Sequence, residues 1–261
     1  MNDAILSDLL GKVSCVLVET SHPGNVGATA RAMKVMGLTD LRLVAPRFEN
    51  VANKADAIAF ASGALDILRD ARVFATLDEA LGDTQFSIAT AMITREFSGP
   101  VYAPAAAAQR SIALLHSGAA RRVALVFGKE RYGLSNEEVL ACSSLCQIPT
   151  NPDYGSLNLA QAVQVMAYAL RMETLHLAAQ PVDAAELAPA EGLADHAAVA
   201  GMLTHLEQAA IAVGYLDPAE PKRLMPRLAS LFARTRLTQK EVDILRGIAK
   251  HAIAAANRTK P

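Results

Sequence analysis

"VSCVLVETSHPGNVGATARAMKVMG", residues 13–37, decides what kind of fold the chain can adopt. Its first seven residues are a short apolar run rich in β-branched side chains, which reads as a strand. The loop "TSHPGNVG" follows, and then the helical pattern "ATARAMKVMG", which stops at Gly37, the residue type that most readily closes a helix. That is one strand-loop-helix unit.

Working outward, "LRLVAP" (41–46), "QFSIAT" (85–90) and "RVALVFG" (122–128) repeat the strand pattern, and "ADAIAFASGALDIL" (55–68) and "APAAAAQRSIALLHSG" (103–118) supply helices between them. This alternation predicts an α/β fold with a mostly parallel sheet and helices on both faces. A long helix opens near Leu157 in "NPDYGSLNLAQAVQVMAYAL" (151–170). Beyond it, "AAQPVDAAELAPAEGLADH" (178–196) is rich in alanine, proline and acid without periodicity, so residues 179–195 read as a linker. The division expected is a catalytic-sized unit at 1–178, that linker, and a small all-helical extension at 196–261.

With 261 residues, 52% of them apolar, the chain can bury a full core. The formal net charge of -1 hides an asymmetry. Residues 181–214 carry five acidic and no basic side chains, whereas residues 215–261 carry ten basic and four acidic ones. Basic charge gathered at one end is what a region meeting a polyanion requires. The N-terminus "MNDAILSDLLGK" has two aspartates where a signal peptide would be basic and then apolar, and no apolar run reaches the roughly 18 residues of a membrane span. A cytoplasmic protein without membrane contact is expected. Cys15, Cys142 and Cys146 fit neither a disulfide framework nor a zinc site, and the six histidines show no ligand spacing, so free thiols and no metal are expected.

Three strand-to-helix junctions carry polar residues. Gly24 and Gly27 bracket Asn25 and Val26 where backbone N–H groups favour an anion, with Arg31 six residues past Asn25. Val26 stands where a dinucleotide fingerprint needs glycine, and Gly128-Lys129 is followed by Glu130 rather than by a P-loop hydroxyl, so neither nucleotide motif is met. In "ALVFGKERYGLSNEEV" (124–139) a strand runs into Gly128, Lys129, Glu130 and Arg131 at the sheet edge where open α/β folds bind ligands, while Ser135 and Glu138 read as a capping box. The third junction, "YGSLNLA" (154–160), opens the long helix with Ser156 or Asn158 as its cap.

Together, "ETSHPGNVGATARAMKVMG", "LVFGKERYGLSNEE" and "IPTNPDYGSLNLAQAVQV" resemble the three ordered motifs of the SPOUT class of methyltransferases, in particular the TrmH-like RNA ribose 2′-O-methyltransferases. The resemblance implies a SPOUT fold in which a C-terminal deep trefoil knot holds S-adenosylmethionine, and a homodimer formed through the knotted domain. It implies tRNA as partner, with the 2′-hydroxyl of nucleotide 32, cytidine or uridine, in the anticodon loop as target. Another tRNA position, ribosomal RNA, or a non-catalytic knotted RNA-binding protein are the alternatives. The motif positions map onto Asn25, Arg31, Glu130, Ser156 and Asn158 as catalytic residues. Thr90, Ala91, Met92, Phe127, Gly128, Ile148, Gly155, Ser156 and Leu157 would hold the cofactor. In this reading Arg31 binds the phosphate beside the target nucleotide, since a guanidinium is a poor proton acceptor near neutrality. Glu130 would fix Arg31 by a charge-assisted hydrogen bond, and Lys222, Arg223, Arg227, Arg234, Arg236, Lys240, Arg246 and Lys250 would track RNA phosphates.

Overall fold

Strands that read as near-continuous apolar runs must be covered on both faces. A computed structural model, which describes residues 2–93, 98–179 and 192–258, places seven of them in one parallel sheet. They are β1 (Val13–Val18), β2 (Asp40–Val44), β3 (Arg72–Phe74), β4 (Phe86–Thr90), β5 (Val101–Tyr102), β6 (Val123–Phe127) and β7 (Ser144–Cys146). Their spatial order is β3-β2-β1-β6-β4-β7-β5. The helices are α1 (Asn2–Gly11), α2 (Pro23–Met36), α3 (Ala55–Ala61), α4 (Leu65–Arg69), α5 (Leu77–Leu81), α6 (Pro104–His116), α7 (Asn136–Leu140), α8 (Leu159–Ala179), α9 (His196–Ala212), α10 (Leu224–Thr235) and α11 (Gln239–Arg258).

Alternation along each strand splits the core in two. Cys15, Leu17, Leu41 and Leu43 pack beneath α2, α3, α6 and α8, and Val16, Val18, Val44 and Val126 beneath α5 and α7. The expected α/β layering is therefore present, but β3, β5 and β7 were not foreseen. Each is two or three residues long and too short to show a period. The single helix expected over 55–68 is two, because Ser62 at φ 52 turns the chain between α3 and α4. Gly37 closes α2 at φ 89, and Ser135 and Glu138 form the capping box of α7, as their spacing predicts. Met202, Leu237 and Val242 form a separate small core for α9 to α11. The expected linker lies largely at 180–191, outside the described residues.

β7 sits between β4 and β5, two strands consecutive in the chain. Leu145 N–H donates to Pro100 O at 2.9 Å on one side, and Ala91 N–H donates to Cys146 O at 3.1 Å on the other. The approach is close: a Cβ on Gly99 would lie 2.4 Å from Ser143 O. A later segment has thus been inserted between two earlier ones.

At the amino ends of the strands, "LRLVAP" conceals a buried charge. Arg42 is 1% exposed, and its guanidinium donates to Asp83 at 2.6 and 3.1 Å and to Asp40 at 3.0 Å. Asp40 also accepts from Ser14, Arg72 and Arg122, so the arginine is buried fully paired. Cys15, Cys142 and Cys146 are free and buried, and burial pushes the Cys142 and Cys146 thiols up to about 12, where they are unreactive.

Gly27 fixes how α2 meets α3, since a Cβ there would lie 2.1 Å from Ala57 O and 2.9 Å from Ala61 N. Gly27→Ala must push backbone apart and is expected to destabilise the fold by about 1–3 kcal/mol. The denaturation midpoint checks this, with Gly63→Ala, where nothing lies within 4 Å, as the benign control.

Candidate active site

The three junctions meet at the carboxyl edge of the sheet. β1 leads through Glu19 to Ser21 into α2, whose N-cap His22 supplies no side-chain hydrogen bond. A carboxylate from another loop does that work. Glu130, three residues past β6, accepts from the backbone N–H groups of Ser21 at 3.1 Å and His22 at 3.1 Å. It also accepts from the Thr20 hydroxyl at 2.8 Å, the Ser21 hydroxyl at 2.9 Å and Asn25 Nδ2 at 3.1 Å. A negative charge at a helix N-terminus is stabilised by the unsatisfied amides there. Partial burial raises the Glu130 carboxyl, but hydrogen bonds from Asn25, from backbone N–H groups and from Thr20 outweigh it and lower the group to about 2.

From Glu130 the chain of hydrogen bonds continues. Asn25 Oδ1 accepts from Asn158 Nδ2 at 2.9 Å. Asn158 Oδ1 accepts from Ala160 N–H at 2.9 Å, and Asn158 N–H donates to Gln161 Oε1 at 3.2 Å, so Asn158 is also the cap of α8. The capping reading of this residue is met, and the same side-chain amide ties the helix to the first junction. Ser156, two residues earlier, is exposed beside this chain.

All nine residues expected to hold the cofactor line one cleft: Thr90 to Met92, Phe127 and Gly128, Ile148, and Gly155 to Leu157. Phe127, Ile148 and Leu157 give it apolar walls, and Thr90 Oγ1 is buried there without a hydrogen-bond partner. Two glycines keep it open. A Cβ on Gly128 would lie 2.2 Å from Gly133 C, and one on Gly155 would lie 2.8 Å from Thr150 Oγ1. Met92 is 54% exposed at the rim, and its carbonyl accepts from Gln147 Nε2. An apolar slot with an orphaned hydroxyl and charged residues at its mouth fits a nucleoside bearing a flexible polar arm. Lys129, Glu130, Arg131 and Tyr132 complete the mouth.

Arg31 is placed differently from expectation. It follows Asn25 by six residues on α2, about 9 Å along the axis and about a third of a turn around it. It is exposed, does not line the cleft, and forms no ion pair among the described residues. Glu130 therefore does not fix Arg31, because its oxygens are already occupied by Thr20, Ser21, His22 and Asn25. The loop 20–22 was the part of the site that sequence reasoning missed. Its hydroxyls at Thr20 and Ser21, three and two residues before Pro23, were the available signal. Among the described residues no group of three or more His, Cys, Asp or Glu is placed to hold a metal, and no helix is long and apolar enough to cross a membrane.

Known proteins are similar to this chain in sequence and fold. The model of the SpoU rRNA methylase family matches residues 12–168, and that of the C-terminal domain of the tRNA methyltransferase TrmJ matches residues 197–261. The tRNA (cytidine/uridine/adenosine-2′-O-)-methyltransferase TrmJ of Pseudomonas aeruginosa is 43% identical over 244 residues, 92% of this chain and 93% of that protein. The tRNA (cytidine/uridine-2′-O-)-methyltransferase TrmJ of Klebsiella pneumoniae is 43% identical over 92% of this chain and 96% of its own length. The crystal structure of TrmJ from Z. mobilis superimposes with a TM-score of 0.76 at 32% identity, covering 91% of this chain and 97% of that one. AviRb from Streptomyces viridochromogenes, solved in complex with the cofactor AdoMet, shares the fold at a TM-score of 0.50 and 19% identity, covering 64% of this chain and 62% of that one. From one end to the other, then, this chain belongs to the SpoU methylases and, among them, to the TrmJ methyltransferases.

Proposed function

We propose that the protein transfers the methyl group of S-adenosylmethionine to the ribose 2′-hydroxyl of nucleotide 32, a cytidine or uridine, in the anticodon loop of tRNA. The observation that carries this reading is the hydrogen-bonded chain Glu130–Asn25–Asn158, which joins three distant motifs at the mouth of a cleft shaped for a nucleoside. The activities for which the P. aeruginosa and K. pneumoniae relatives are named support the substrate class.

Bound in this cleft, S-adenosylmethionine would supply an electrophilic methyl group, its sulfonium becoming a neutral thioether while the proton of the ribose hydroxyl would pass to solvent. The chain's own residues position the acceptor. Phe127, Ile148 and Leu157 enclose the cofactor's apolar surfaces, and the Thr90 hydroxyl supplies the polar contact it otherwise lacks. Ser156 and Asn158 orient the ribose hydroxyl; the second Nδ2 hydrogens of Asn25 and Asn158 remain for that purpose. Glu130 is a positioning residue rather than the base, because a carboxylate lowered to about 2 and saturated with donors has little affinity for a further proton.

Arg31 grips the phosphate next to the target, for which its exposure leaves it available. Exposed Val35 on α2 and Tyr168 and Met172 on α8, two helices packed together, support a homodimer formed through this face, with Arg31 one turn from Val35 at its edge. β7's insertion between β4 and β5 supports the trefoil knot of the class. The division into 1–178, a linker and 196–261 agrees with the separate core of α9 to α11. There all eight basic residues from Lys222 to Lys250 named above are exposed, as tracking of RNA phosphates requires. With no membrane-spanning helix among the described residues and tRNA as substrate, the cytoplasm is its place of work.

Mapping 2′-O-methylation in tRNA after incubation with the purified chain and S-adenosylmethionine tests the reading, with modification at position 32 expected and none there overturning it. Removing residues 196–261 is expected to weaken tRNA binding at least tenfold and to flatten its salt dependence, while calorimetric S-adenosylmethionine binding stays unchanged. Glu130→Gln is expected to lower kcat by about a hundredfold and stability by about 1–3 kcal/mol. Because the folded carboxyl is lowered from an ordinary 4.5 to about 2, its stabilisation is complete above the ordinary value and vanishes as pH falls toward about 2. Thermal unfolding of wild type and Glu130→Gln should therefore differ by a constant amount at pH 6–8 and converge below about pH 4.

A further inference from the structure

The loop after β2 carries a cluster that the methyl-transfer chemistry does not use. The Arg47 guanidinium lies 5.5 Å from the centroid of the Phe48 ring and the Lys54 ammonium 5.4 Å from it, so one aromatic ring serves two cations. Neither cation forms an ion pair among the described residues, although Glu49 and Asp56 are close in sequence. Phe48 remains 38% exposed.

The loop is also held against the site. Arg47 N–H donates to Thr20 O at 3.1 Å, and the hydroxyl of the same Thr20 donates to Glu130. Glu19 N–H donates to Val44 O at 2.8 Å, and both strands turn there through left-handed residues, Glu19 at φ 47 and Ala45 at φ 40. Non-glycine residues in that conformation are strained and persist where the surroundings impose them. A second cation–aromatic pair, Arg131 at 5.5 Å from the ring of Tyr132, stands on the loop after β6 that lines the cleft.

We propose that Arg47 and Lys54, gathered by Phe48, form a phosphate clamp that holds the RNA backbone of a nucleotide flanking the one methylated. This rests on the reading of the protein as a tRNA 2′-O-methyltransferase and adds to it the element that places the strand over the cleft. The shared ring holds each cation in a preferred place, which lowers the cost of ordering them when a polyanion binds. Arg47 and Lys54 touch the phosphate; Phe48 is a positioning residue. The clamp reads charge and spacing rather than base identity, as expected of a site that sets register on the substrate.

The test uses the full-length chain with tRNA and S-adenosylmethionine. Combined Arg47→Ala and Lys54→Ala is expected to raise KM for tRNA about tenfold or more, leave cofactor affinity unchanged, and reduce the slope of log Kd against log salt by about 0.7, the contribution of the one single-strand phosphate left without its cations. Phe48→Tyr, which keeps the ring, should retain wild-type KM, whereas Phe48→Leu, which keeps the bulk, should raise it several-fold. Swapping the cations by Arg47→Lys with Lys54→Arg should restore most of the salt slope. An unchanged KM and slope in the doubly truncated variant, with wild type methylating normally, overturns the clamp and leaves the enzymatic reading intact. Failure of wild type to methylate tRNA overturns that reading and the clamp with it.

Discussion

A single carboxylate holds the site together. Glu130 comes from the loop after β6, yet its oxygens are spent on the loop after β1, where they satisfy two backbone amides, two hydroxyls and the Asn25 amide. The first backbone donors of a helix lack partners within it, and here the acceptor is borrowed from the loop after a neighbouring strand. Asn25 passes the constraint on to Asn158, and Asn158 to the first turn of α8. Three loops far apart in the chain are thereby held to one geometry.

Rigid positioning of this kind suits a reaction in which the cofactor already carries the driving force. The protein needs to align an oxygen with a methyl group, exclude competing orientations and tolerate a modest change of charge. The glycines at 128 and 155 serve the same end from the other direction, keeping space where any side chain would meet backbone or a hydroxyl. On the function proposed above, recognition of the large anionic substrate falls to exposed cations outside the cleft, and chemistry and capture occupy different surfaces.

Much of this was legible in the residues themselves. The strand runs at 13–18, 40–44, 86–90 and 123–127, the helix stop at Gly37 and the capping box at Ser135 all express local rules, and local rules show in a sequence. The nine cleft residues came instead from likeness of motifs, because loops that enclose a ligand have no period to read. What stayed hidden was set by tertiary contact. β5 is a strand only because β7 lies beside it and β7 because β4 and β5 flank it, Arg42 lies in an apolar run with its partners 2 and 41 residues away, and Glu130 looked like a partner for Arg31 on charge alone. A donor-rich loop won that carboxylate, which opposite charge along a chain cannot reveal.

The placement of β7 bears on how a ribosome must deliver this protein. Its slot between β4 and β5 exists only after both have been synthesised, and they precede it by some forty residues or more, so assembly has to proceed from the amino end. Pairings so distant along the chain form slowly. Truncated products that end before residue 144 would expose two unpaired strand edges, a hazard for cross-chain adhesion, until the missing strand emerged to fill the gap.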